Sequence, residues 1–359
     1  MNGKSAKQER SSALVRVGIA GLGRAAVFEH IPELLALPHQ FRITAVCDLL
    51  KSRRDHVTAI CPDVKTYRRI EDMLDDPDID LVDICTRTSD HVPHAMESLK
   101  REKWTVLESP MATSREDALA LRAQSVKAHN RLVVRLPGVF SPDFTLARKM
   151  MSDKRLGDIY DIRVFRCGYV RRDDWQSVRR CGGGIRFYAL PEALLQALSL
   201  IGSPPTKMWS EFKHLASLGD AEDYVRMVLS ARDQRSVCIV ASGASLDFGK
   251  PSFVISGTRG SFTVNPGSSE GVLRAINPAL NLPRRRCSVR TPPLENQHEE
   301  LDIINIPVSL TEEEKTATGG TAFWNAVHDA MRRNIPFPST LDDSIEVLRL
   351  IDLASRTSR

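Results

Sequence analysis

Short apolar runs alternate with amphipathic stretches along the first third of the chain. The run "LVRVGIA" (14–20) is rich in β-branched residues and stops at "GLGRAA"; "VFEHIPELLAL" then carries apolar residues at helical spacing. This order reads as strand, glycine turn, helix. Further strands are expected at "FRITAVCD" (41–48), around "VKTY", at "LVDICT" (81–86), "WTVLES" and "LVVRLP", with helices at "KSRRDHVTAI", "IEDMLDD", "HVPHAMESLKRE" and "SREDALALRAQSVKAHN" between them. Alternation of this kind predicts an α/β domain, a doubly wound parallel sheet with helices on both faces.

Beyond residue 140 the period changes. A helix at "PDFTLARKMMSDKRLG" is followed by closely spaced alternating runs such as "DIYDIRVFRCGYV", "DYVRMVLSA", "SVCIVASGASL" and "SFVISGTRGSFTV". They predict an α+β domain with a mostly antiparallel open sheet. The stretch from Asn265 to about Lys315, rich in Pro and polar residues, reads as a surface excursion, and two helices close the chain. The expected divisions are a disordered tail at 1–12, an α/β domain at 13–135, an α+β domain at 136–338, and a final helix at 339–359.

Composition narrows the classes. A chain of 359 residues with 42% hydrophobic content is long enough for two cores. Fifty Lys and Arg against 45 Asp and Glu give +5, without the dense basic stripe that nucleic acid requires. The basic cluster Arg284–Arg286 sits among prolines and reads as a solvated loop. Seven cysteines, without a C-x-x-C pair, read as reduced thiols, with no disulfide framework and no metal site. The charged N-terminus and the lack of any run near ~18 apolar residues point to a cytoplasmic protein without a membrane span.

The chemistry begins at "GIAGLGRAA". Gly21, Gly23 and Ala26 fill a G-x-G-x-x-G/A pattern between the first strand and a helix, so the residues Gly21, Leu22, Gly23, Arg24 and Ala25 are expected to cradle a diphosphate. Asp48, ending the second strand, is placed to accept hydrogen bonds from a ribose diol. Its charge favours NAD; Arg53 and Arg54 nearby leave NADP open.

From this fingerprint through "ESP", "RLPGVFSPDF", "RLGDIYDIR", "CGGG", "AEDYVRMVL", "ISGTRGSFTV" and the last helix, residues 14 to 358 resemble the Gfo/Idh/MocA family of NAD(P)-dependent oxidoreductases. The resemblance implies a dinucleotide-binding Rossmann domain at 13–135, a second domain at 136–338 used for substrate and for self-association to a homodimer or homotetramer, a final helix packed back on the first domain, and hydride transfer at a CH–OH group. "YVRRDDWQ" with "GDAED" is most similar to a branch acting on sugars and glycosides, so a carbohydrate-like small molecule is the implied partner. The resemblance also implies cofactor contacts from Thr86, His91 and Glu108.

Three positions depart from the family pattern. Its catalytic E-K-P loop is filled by Glu108, Ser109 and Pro110, and a serine cannot carry the proton that a lysine ammonium does. Counting from Gly182–Gly184, Tyr188 stands in place of the usual carboxylate or amide, and Glu192 in place of the histidine. Tyr188 and Glu192, four apart, are expected on one helical face, serving as acid and base if the phenol is made more acidic. Arg171, Arg172, Asp174 and Trp175 either bind a hydroxylated ring or form a solvated loop. Three outcomes stay open: an oxidoreductase rewired to Ser109, Tyr188 and Glu192; an inactive member that binds a dinucleotide and serves as a binding or assembly partner; or, ranked below these, elimination chemistry on a glycoside with tightly held NAD and Glu192 as base.

Overall fold

A computed structural model describes residues 14–280, 282 and 301–357. The expected tail at 1–12 and the cluster Arg284–Arg286 lie outside the described residues. Six strands, β1 (Val15–Ala20), β2 (Phe41–Cys47), β3 (Lys65–Tyr67), β4 (Leu81–Ile84), β5 (Trp104–Glu108) and β6 (Leu132–Arg135), form a parallel sheet in the order β3-β2-β1-β4-β5-β6. β4 and β6 are buried at every position and β1 at all but one, because helices cover both faces. The order reverses between β1 and β4, so the crevice for a ligand opens at the carboxyl ends of these two strands.

The second sheet has eight strands: β7 (Ile159–Cys167), β8 (Lys207–Lys213), β9 (Tyr224–Ser230), β10 (Ser236–Ser242), β11 (Phe253–Gly257), β12 (Gly260–Val264), β13 (Glu270–Ile276) and β14 (Ile303–Ser309). Their order is β14-β13-β12-β11-β7-β10-β9-β8, antiparallel except where β7 meets β10. Alternation is clean, as in β13 where every second residue is buried. The inward row, including Ile162, Val164, Met227, Ile239, Phe253 and Phe262, packs with the helices Pro142–Met150 and Leu190–Ile201. β13 and β14 correct one expectation, since they occupy part of the segment read as an irregular excursion. β14 is the edge strand of the sheet and alternates between exposed and half-buried residues, so a polar, proline-containing sequence is accommodated there.

The helix Gly320–Arg333 buries Phe323, Trp324 and Val327 in the core of the first sheet, beside Val15, Phe41 and Ile43. The last helix, Leu341–Thr357, packs along Leu190–Ile201, β8 and the helix Arg115–Lys127, with Arg122 Nε 2.7 Å from Asp342 Oδ1. Both closing helices therefore bind the domains together. Among the described residues no helix is long and apolar enough to cross a membrane.

Candidate active site

The chain leaves β1 at Gly21, whose φ of +87° excludes most other residues; a Cβ there would stand 2.7 Å from the Cys85 carbonyl oxygen. Gly23 differs. A Cβ on it would meet nothing within 4 Å and would project into the cleft, so the protein itself does not demand glycine there. The open volume is what a diphosphate would need, and the unpaired N–H groups of the following helix begin at the same point.

Asp48, 9% exposed, accepts from Leu22 N at 2.9 Å through Oδ2 and from Leu50 N at 2.8 Å through Oδ1. It thus ties the glycine loop to the end of β2, and Oδ1 keeps a lone pair for a hydroxyl. Arg53 Nη1 lies 3.5 Å from Oδ2 and walls the cleft together with Arg68 and Arg69. Arg54 does not reach the cleft wall; its Nη1 donates to the Asp48 and Leu49 carbonyls at 2.6 and 3.3 Å. Arg68, missed in the sequence reading, had no signal there beyond following a short strand.

The cleft encloses about 870 Å3 between the two domains. Gly21, Gly23, Arg24, Ala25 and Asp48 line one end, and Thr86, His91, Glu108, Ser109, Asp174, Trp175 and Tyr188 line the rest. The second domain approaches through Gly182–Gly184. Gly182 has φ +73° and no room for a side chain, since a Cβ would lie 2.8 Å from Thr88 Cβ.

The ESP loop is held by buried charge. Glu108 Oε1 accepts from His30 Nε2 at 2.9 Å and Arg135 Nη1 at 3.2 Å, while Oε2 accepts from Ser109 N at 2.9 Å. Burial pushes this carboxyl up, but His30, Arg135 and the more distant His91 outweigh it and bring its pKa down to about 2. Arg135, 1% exposed, also pairs with Glu33 at 2.9 Å and Glu29 at 3.3 Å; Glu33 accepts from Trp324 Nε1 at 2.9 Å. His91 sets Nδ1 2.8 Å from the Pro110 carbonyl and Nε2 3.1 Å from that of Thr86, joining two loops. It is a structural tie at the cleft wall.

Because the folded-state pKa of Glu108 lies below its ordinary value, the stability it contributes is complete above about pH 4.5 and is lost as pH falls toward about 2. Urea midpoints measured from pH 6 to pH 3 should therefore fall more steeply for the wild type than for Glu108→Gln. Equal slopes would remove this role.

The expected pair Tyr188 and Glu192 is not on one helical face. The helix Ile185–Tyr188 ends at Ala189 (φ −126°, ψ −36°), and a new helix starts at Leu190 with Pro191 in its first turn. Pro191 cannot donate to a preceding turn, so the i, i+4 relation fails. Tyr188 lines the cleft and Glu192 does not; Glu192 lies against Gly138, and burial raises its pKa. The acidic tyrosine that this pairing required is also absent. Burial raises the Tyr188 pKa, with the Arg172 guanidinium, 4.7 Å above the ring, opposing in part.

Asp174 and Trp175 line the cleft, and Asp174 caps the short turn 175–177 by accepting from Gln176 N at 2.8 Å. Arg171 and Arg172 stay outside the cleft wall. Arg172 binds Gln176 Oε1 at 2.5 Å, and Arg171 donates to the Ala216 carbonyl at 3.4 Å.

His30 escaped the sequence reading. The helix opens with a wide π turn, Ala26–His30, closed by Ile31 N bonding to the Ala26 carbonyl. Pro32 accounts for the widening: it lacks the N–H that would bond to Phe28, and its ring crowds that carbonyl. Phe28 is left 73% exposed and His30 fully buried, the reverse of what hydrophobicity predicts. His30, Asp83 and Cys85 also bring three ligand-type atoms within 4.8 Å of one another. They are already bonded among themselves, and burial with the Asp83 charge pushes the thiol up to about 12.

A family model described as "Oxidoreductase family, NAD-binding Rossmann fold" matches residues 15–136, and one described as "GFO/IDH/MocA C-terminal domain" matches residues 144–263. The chain belongs to the Gfo/Idh/MocA family of oxidoreductases. The scyllo-inositol 2-dehydrogenase (NADP(+)) IolW of Bacillus subtilis is 24% identical over 362 residues, covering 98% of this chain and 96% of its own. An uncharacterized oxidoreductase of Schizosaccharomyces pombe is 27% identical over 263 residues, 70% of each chain. The structure of an NAD-binding protein from Listeria innocua superposes with a TM-score of 0.79 at 20% identity, over 96% of this chain and 95% of that one, which establishes the shared fold. As a member of this family the protein is an NAD(P)-dependent oxidoreductase with a dinucleotide-binding Rossmann domain.

Proposed function

We propose that the protein transfers hydride between NAD(P)(H) and a sugar-like or polyol-like substrate, working as a carbonyl reductase with Tyr188 as proton donor and Ser109 as a hydrogen-bonding partner. The observation that carries this reading is the content of one cleft. Gly21, Gly23 and Asp48 form part of its wall, Ser109 and Tyr188 line the same cleft, and no lysine is among the described residues that line it. Ser109 holds the place where the family pattern has its lysine.

The bound nicotinamide would supply or accept the hydride. Tyr188, kept protonated by burial, is in the right state to give its proton to the oxygen of a carbonyl as that oxygen gains charge. Ser109, its N–H tied to Glu108, can donate a second hydrogen bond to the same oxygen. Asp174 and Trp175 would hold the hydroxylated ring by hydrogen bonding and stacking. Glu108 is excluded as a base by its two cationic partners. Glu192 lies off the cleft wall, which withdraws it from this chemistry. The relative IolW is named for action on scyllo-inositol with NADP(+), which supports a cyclic polyol framework and, with Arg53 and Arg68 at the adenosine end, favours NADP over the NAD preference argued from Asp48 alone.

A second reading, a dinucleotide-binding member without turnover, is favoured by the absence of lysine among the described residues of the cleft wall. Fluorescence titration with NADH and NADPH, followed by a panel of keto-sugars and keto-cyclitols read at the nicotinamide absorbance, decides between them. Turnover supports the reductase. Tight binding without turnover supports the binding module, and no binding at millimolar coenzyme overturns both.

Self-association belongs to the same proposal. The open face of the second sheet carries a cross-strand row of Trp209, Val228, Cys238, Arg163 and Val254, with Trp209 51% exposed. Burying that row against a second copy would cover a sheet face that no helix covers. Light scattering should give at least a dimer mass, and Trp209→Glu should lower it; a monomer at micromolar concentration removes the idea.

A further inference from the structure

His30 sits where the ends of two central strands meet behind the cleft. Its Nδ1 faces Asp83 Oδ2 at 2.8 Å and its Nε2 faces Glu108 Oε1 at 2.9 Å. Asp83 ends its contacts there: apart from the Cys85 thiol at 3.5 Å on the same oxygen, its Oδ1 has no partner among the described residues. A ring with both nitrogens aimed at carboxylates is satisfied only when both carry hydrogen. Burial opposes the resulting charge, as does Arg135 from β6, but Asp83 in β4 and Cys85 just after it raise the His30 pKa well above its ordinary value. Trp324 closes the remaining side edge-on, with ring centroids 6.0 Å apart.

We propose that His30 is the positioning residue of the nicotinamide end of the cleft, bridging Asp83 and Glu108 so that the loops after β4 and β5 present a preformed wall. The loop after β5 is reached through Glu108, whose second oxygen holds Ser109 N. The loop after β4 is reached through Asp83 and Cys85, and His91 ties the two loops together farther out. The wide turn built around Pro32 is what seats the ring inside, so this deviation from a regular helix serves the site. The proposal rests on the dinucleotide reading above and assigns His30 no contact with substrate.

The test compares two probes, NAD(P)+ and ADP-ribose, the second carrying the adenosine and diphosphate without nicotinamide. Calorimetry on His30→Ala should show NAD(P)+ weakened about tenfold or more, the worth of a charge-assisted hydrogen bond, with ADP-ribose affinity within about twofold of wild type. His30→Gln, which retains one donor toward Glu108, should recover part of the loss. Equal losses for both probes, or no loss for either, overturn the positioning role. Failure of wild type to bind ADP-ribose overturns the dinucleotide reading and this proposal with it. Should His30→Ala not fold, 15N-histidine NMR of the wild type still decides: both His30 nitrogens protonated at pH 8 supports the bridge, and a neutral ring overturns it.

Discussion

Arg135→Met is expected to lower the unfolding free energy by about 3–5 kcal/mol, the usual consequence of removing one member of a buried charge network. Methionine fills similar volume, so the loss comes from charge. Glu108 and Glu33 would remain half-buried with His30 and Trp324 Nε1 as their main partners, and the stacking of the guanidinium 5.5 Å over Phe323 would vanish. Arg135→Lys should be intermediate, because one ammonium cannot replace a fork that reaches three carboxylates. Adding Glu33→Gln to Arg135→Met should return part of the stability. Urea denaturation at pH 7 measures all three, and a loss below about 1 kcal/mol for Arg135→Met would show the network to be dispensable.

Tyr188→Phe is the second large effect. If the phenol delivers the proton, turnover on the best substrate should fall roughly 10²- to 10⁴-fold with coenzyme affinity unchanged. Ser109→Ala should cost less, since it removes only one neutral hydrogen bond. The pH profile separates a chemical role from a packing role. With its pKa raised, Tyr188 should sustain carbonyl reduction through neutral pH and lose it on the alkaline side. A Tyr188→Phe enzyme with unchanged kcat and an unchanged alkaline limb would reassign the donor.

The two cases differ in how far sequence could foresee them. Tyr188 was found by counting from Gly182–Gly184, and it does line the cleft. Its partner Glu192 was placed with it by assuming one continuous helix, which Ala189 and Pro191 interrupt. The placement of Gly21, Gly23 and Asp48 at the cleft was legible because it rests on local geometry: a positive φ, an open approach and the end of a strand. The charge network was not. His30, Asp83, Glu108 and Arg135 come from a helix and three strands, and only Glu108 drew notice in the sequence.

The period of the apolar residues was enough to specify a parallel sheet followed by a mostly antiparallel one, because alternation and helical spacing are properties of neighbours along the chain. It could not specify which polar groups would be buried, since that depends on strands far apart in sequence meeting at one edge. A histidine in an apolar stretch looks like an interruption of the pattern. Only the packed strand ends, with a carboxylate on either side of the ring, make its burial favourable, and only a turn widened by Pro32 directs it there.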